Sequence, residues 1–174
     1  MTDHPTIDSV PVAHTPPGGW TQWPGPVLAG CEEPLVPGAP ELRGLWQVIG
    51  VEIDGVDVPD HAMRGHVSRV EQAGDRIVIT GSGIIHDMRC DGTLENGVHD
   101  VAAADFTTEV HVAASYEDGV HVLRPEGLPI EVRRWRDGEC LMWDYSSFVA
   151  RMCRLDDAES DPTAVLASME RTER

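Results

Sequence analysis

The chain has 174 residues, of which 30 are acidic and 13 basic, giving a formal net charge of −17. That length suits one domain with a real core. The charge argues against nucleic acid or an anionic membrane surface as partner, because both call for a basic patch. No lysine occurs anywhere, which removes Schiff-base chemistry and the P-loop from consideration.

Residues 1–40 form a Pro/Gly-rich arm. The first 27 hold six prolines, two aspartates and no Lys or Arg. Leu28-Ala29-Gly30-Cys31 spells a lipobox, but the segment before it has neither a basic start nor an apolar run, so the match reads as incidental. No stretch elsewhere approaches the ~18 apolar residues of a membrane span. Trp20 and Trp23 need apolar surface to cover, so the arm is expected to pack over the domain from about Gly18 onward, as a candidate lid. The cysteines (Cys31, Cys90, Cys140, Cys153) form no C-x-x-C pair. That spacing argues against structural zinc and fits a reduced, cytoplasmic protein.

From residue 41 to 156 the texture changes to short runs rich in Val, Ile and Thr. The runs are 45–53, 65–72, 76–81, 84–90, 97–101, 108–116, 120–124, 130–136, 140–145 and 148–155. Turn dipeptides such as Asp54-Gly55, Asp118-Gly119 and Asp137-Gly138 punctuate them, and these tolerate the positive φ of tight hairpins. About ten consecutive strands predict an all-β, up-and-down antiparallel barrel, since closure hides the sheet edges. Residues 157–174 predict a short helical tail, with Ser160 or Asp161 as cap and Pro162 in the first turn.

Gly44-Leu45-Trp46 matches the G-x-W that opens lipocalin-type barrels. Together with the strand count and the basic closing strand, it resembles the calycin superfamily of lipocalins, avidins and fatty-acid-binding proteins. Residues 74–90, "VHVAASYEDGVHVL", "IEVRRWRDGECLMW" and "VARMCRL" resemble the hairpins and closing strand of the intracellular fatty-acid-binding type. The resemblance spans roughly residues 42–155. It implies a barrel around one small hydrophobic or amphipathic, acidic ligand, with no cofactor. The family's closing Arg-x-Tyr falls on Arg151-Met152-Cys153, without its tyrosine, and its second carboxylate-binding arginine falls on Arg133. The stretch 54–64 is too short for that family's helical lid.

Alternation along a strand sets two readings of the closing hairpin against each other. The family match turns Arg151, Cys153, Cys140 and Met142 inward. The apolar pattern favours the other face: Leu141, Trp143, Tyr145, Phe148, Ala150 and Met152. With that face inward, Arg154 points in and packs over Trp46, closing the barrel. Arg133 is the first candidate for the anion contact and Arg151 the second. Trp135 or Trp143, with Met142 or Met152, would line the cavity. If Ser146-Ser147 is a two-residue turn, Cys140 lies opposite Cys153. His86, His99, His111 and His121 lie in strands without tight ligand spacing, so no metal site is expected. The alternative function is a cofactor-free barrel enzyme, a cyclase or isomerase of bacterial specialised metabolism, using an acid or base such as Glu131 or His86. A barrel filled by side chains, serving interaction only, is the third reading.

Overall fold

The computed structural model describes residues 3–155, and the helical tail expected beyond them lies outside that range. The strands are β1 Gly44–Ile53, β2 Val56–Asp57, β3 Val67–Ala73, β4 Arg76–Gly81, β5 Ile84–Arg89 and β6 Val98–Val101. They continue as β7 Glu109–Glu117, β8 Val120–Pro125, β9 Val132–Asp137, β10 Cys140–Asp144 and β11 Val149–Arg154. All the pairings are antiparallel. They join in the order β5-β4-β3-β1-β11-β10-β9-β8-β7-β6, with β2 as a short spur on β1. First and last strands are therefore side by side through β1 and β11, and the sheet curls into a nearly closed barrel.

Local sequence accounts for most of this. Ser82-Gly83 joins β4 to β5 with φ of 50° and 83°, and Asp118-Gly119 joins β7 to β8 with φ of 49° and 82°. Two consecutive positive φ values define the type I′ turn, whose twist matches that of paired strands. A register shift between Val48 and Gly50 marks a bulge in β1, which bends the strand as closure requires.

Closure is completed without a ladder between β5 and β6. Arg89 N–H donates to Asn96 O at 2.8 Å, and His86 Nε2 lies 3.0 Å from Val101 O. The arm ties the two edges from outside. Ala13 N–H donates to Asp87 of β5 at 2.9 Å, and Thr15 N–H donates to Asp100 of β6 at 3.0 Å.

The arm docks earlier than Gly18, from Ile7, and it lies along the outer face of β3, β4 and β5. Arg76 donates to the carbonyls of Ile7, Val10 and Pro11. Glu71 accepts from the amides of Val27 and Leu28, and the Trp20 indole donates to Ile84 O at 2.9 Å. Leu28 of the arm packs with Ala73, Val78 and Ile85 of the strands as a second apolar layer, with Ile7, Ala13 and Trp20 on its edge. This explains why every residue of β4 is buried, where a one-faced strand would alternate.

Candidate ligand site in the barrel interior

Register decides which side chains look inward. Leu141 pairs with Met152 and Trp143 with Ala150, and all four are buried in the main core. The face carrying the apolar residues therefore lines the barrel. On β9, Arg134 faces Trp143 across to β10 and His121 across to β8, so Arg134 points inward and Arg133 points out. Arg133 Nε donates to Glu131 at 3.0 Å, and Arg151 donates to Asp137 at 3.0 Å. Trp135 and Met142 pair with each other and share that outer face. The family resemblance sets Arg133, Arg151 and Met142 in the cavity, and the same register would add Trp135. One residue of register reverses all four, because burial of the apolar face outweighs a motif that had already lost its tyrosine. Glu131 is outside as well, held between Arg124 and Arg133.

One end of the barrel is plugged. Arg154 Cζ lies 4.6 Å and Arg136 Cζ 5.2 Å from the centre of the Trp46 ring. The Trp46 indole donates to Leu42 O at 2.9 Å. Gly44 makes room for the stack, since a Cβ there would sit 2.8 Å from the Arg154 guanidinium. Cations over an indole face are attracted by the ring quadrupole.

Halfway along the barrel lies an unusual row. His121, Arg134 and Trp143 stand abreast on β8, β9 and β10. Each holds buried polar atoms without a hydrogen-bond partner in the protein: both ring nitrogens of His121, Nη1 of Arg134 and Nε1 of Trp143. Arg134 Cζ sits 5.1 Å from the Trp143 ring centre. Burial pulls the guanidinium down to about 10, and no carboxylate pairs with it among the described residues. The His121 side chain is fully enclosed, and burial first, then the Arg134 charge, keep it neutral.

Two more histidines face the same charge. His66 lies between the hydroxyls of Ser82 (2.7 Å) and Ser68 (3.0 Å), with its ring 5.9 Å from Trp143. Burial, then Arg134, push it down to about 4. His86 faces inward opposite Ile79 and is lowered chiefly by burial. Beyond the Arg136–Arg154 plug, the interior thus presents the Arg134 cation, an indole N–H and three imidazoles. Beyond the row the wall is apolar, with Val110, Leu123, Met63 and Phe148 packed on the core yet only partly buried. Trp143, Tyr145 and Phe148 cluster at that end, with ring centres 5.4–5.6 Å apart.

Isolated buried donors are costly, and native proteins keep few of them. Four unpartnered atoms in adjacent positions fit an oxyanion, which accepts from guanidinium and indole at once. The signal for Arg134 was present in the sequence: a two-residue loop at Gly138-Glu139 sets Trp143 opposite Arg134, so choosing Trp143 inward chooses Arg134 too. His121 carried no comparable signal. A separate cleft of about 300 Å³ lies where the arm meets β5 and β6, lined in part by Val12, His14, Met88 and His99. Its strongest polar groups, Arg76 and Asp87, are committed to each other at 2.6 Å. Among the described residues no group of three or more His, Cys, Asp or Glu could hold a metal ion, and no helix is long and apolar enough to cross a membrane. No family model, curated protein or solved structure matches the chain.

Proposed function

We propose that the protein is a calycin-like carrier that binds a small amphipathic acid inside its barrel. The observation that carries the reading is the row of unpartnered donors, Arg134, His121 and Trp143. The ligand's anion accepts from Arg134 and Trp143, and its apolar part lies along Leu123, Val110 and Phe148. A buried guanidinium without a counter-ion favours an anionic occupant, and an interior of mostly apolar walls with a few convergent polar groups is the usual form of a small-molecule site. Arg134 takes the role that the family alignment assigned to Arg133. The free thiols suit a reducing compartment, and we place the carrier in the cytoplasm.

A second reading, a cofactor-free isomerase or cyclase, draws on the unpartnered nitrogens of His121 beside the anion site. Its weakness is chemical. A general base works best with a pKa near the operating pH, and the charge on Arg134 opposes formation of an imidazolium next to it.

The test is native mass spectrometry of gently purified protein beside its denatured mass, before and after incubation with fatty and aromatic acids. Arg134→Met should abolish the extra mass while Arg133→Met keeps it. Equal retention by both variants, or a wild-type protein that stays free of ligand throughout, would overturn the carrier reading. Conversion of the bound acid to an isomer would favour the enzyme.

A further inference from the structure

Strands β10 and β11 each carry a cysteine on the outer face, and the hairpin between them fixes how the two meet. Tyr145 N–H donates to Phe148 O at 2.9 Å, which closes a two-residue loop at Ser146-Ser147, with Ser146 at φ 75°. From that bonded pair the register steps down through Asp144↔Val149, Trp143↔Ala150, Met142↔Arg151 and Leu141↔Met152. The next step sets Cys140 opposite Cys153. Bonded and non-bonded pairs alternate along an antiparallel ladder, so this position is non-bonded.

Strand β1 gives the same answer independently. Leu155 N–H donates to Leu45 O at 2.8 Å, and two residues on, Gln47 faces Cys153. The backbone groups of Cys153 therefore turn toward β1 and away from β10. Non-bonded pairs are where facing Cα atoms approach to about 4.5 Å with their side chains closest. That separation lies at the short end of the ~4.4–6.8 Å a disulfide spans. Leu141 and Met152 occupy the inner face, so both sulfurs leave on the outer one. Both thiols are free and half-buried.

The surroundings favour reaction here over the other two cysteines. Arg151 lies diagonal to Cys140 on the same face, with its guanidinium bonded to Asp137 at the end of β9 at 3.0 Å, and a cation is the neighbour a reacting thiolate uses. Cys90 is buried inside the barrel and pushed up to about 12 by burial. Cys31, on the arm itself, is raised by burial too.

We propose that Cys140 and Cys153 are a redox-modification site that closes to a reversible cross-strand disulfide, with low-molecular-weight disulfides as the oxidant. The Cys140 thiolate attacks one sulfur of the small disulfide, forming a mixed disulfide and releasing one thiolate. Cys153 loses its proton to solvent and attacks the Cys140 sulfur, forming the protein disulfide and releasing the second thiolate. Two protein thiols are oxidised and one small disulfide is reduced to two thiols. The product is half-exposed on the outer face and at the short limit of span, and accessible or strained disulfides are the ones small thiols reopen. Leu141 and Met152 keep the inner side, so the bond leaves the Arg134 row in place.

The test is incubation of the full chain with oxidised glutathione, followed by thiol counting and peptide mapping. The expected result is loss of two thiols, a mass lower by about 2 Da, one cross-linked peptide pair joining Cys140 to Cys153, and full reversal by reduced glutathione. Cys140→Ser and Cys153→Ser should each trap glutathione on the remaining cysteine, whereas Cys31→Ser should oxidise as wild type. Stable glutathione adducts on both cysteines of the wild-type chain, persistent free thiols, or a bond to Cys31 or Cys90 would overturn the proposal.

Discussion

Replacing Asp87 tests whether the arm is part of the fold or an accessory to it. Asp87 and Arg76 keep 1% and 3% of their side-chain surface exposed. Asp87 accepts from Arg76 Nε at 2.8 Å, from Arg76 Nη2 at 2.6 Å and from Ala13 N–H at 2.9 Å. Asp87→Ala leaves a buried guanidinium facing only three arm carbonyls. Breaking such a pair from one side costs about 3–5 kcal/mol. Removing both charges in Arg76→Met, Asp87→Leu should cost the barrel far less, because similar-sized apolar residues replace a buried pair with little loss. The double variant still strips the arm of bonds to Ile7, Val10, Pro11 and Ala13, at about 1 kcal/mol each. Urea unfolding measures the first effect. Limited proteolysis of the arm measures the second, with fluorescence of Trp20 and Trp23, whose rings lie 4.6 Å apart on the arm. The expected pattern is a large global loss for the single variant, and a stable barrel with a cleavable arm for the double. A single variant within about 1 kcal/mol of wild type, or a double variant as unstable as the single, would refute the reasoning.

Arg134→Met should raise the stability of the ligand-free protein by about 1 kcal/mol, since it removes a partly buried charge that no carboxylate pairs. A drop in urea midpoint would mean that Arg134 holds the fold together. His66 is neutral when folded and falls from 6.5 to about 4, so unfolding takes up a proton between those values. Stability is then full above about pH 6.5 and declines as the pH falls toward 4, by up to about 3 kcal/mol for this group. His86 and His121 are lowered and add to the slope, while exposed His111, raised by Glu109, opposes it. Urea midpoints from pH 7 to 4 should show the decline, and His66→Gln should make it shallower; a flat profile refutes the assignment. Gly97→Ala should cost at least the ~1–3 kcal/mol typical of overpacking, because its Cβ would fall 1.8 Å from Val112 O. Thermal unfolding close to wild type would show that β6 can shift freely.

Much of the fold was legible in the amino-acid order. The alternation of apolar residues, the turn dipeptides and Gly44-Leu45-Trp46 are local signals, and they located all ten main strands within a few residues. The facing of Cys140 and Cys153 followed from a two-residue loop at Ser146-Ser147, and the stacking of Arg154 over Trp46 from turning the apolar face inward. What the tertiary structure decided was long-range. The arm's clasp on Arg76 pairs residues more than 60 apart in sequence. The β5–β6 gap exists only once the sheet has curled. Between Arg133 and Arg134 the residue types say nothing, since both are arginines. Strand pairing sends one to Glu131 in solvent and the other to the interior beside His121 and Trp143. Local chemistry sets which residues form a strand, but the side of the wall each faces is settled by the partner strand, whose register is fixed by burying the apolar face.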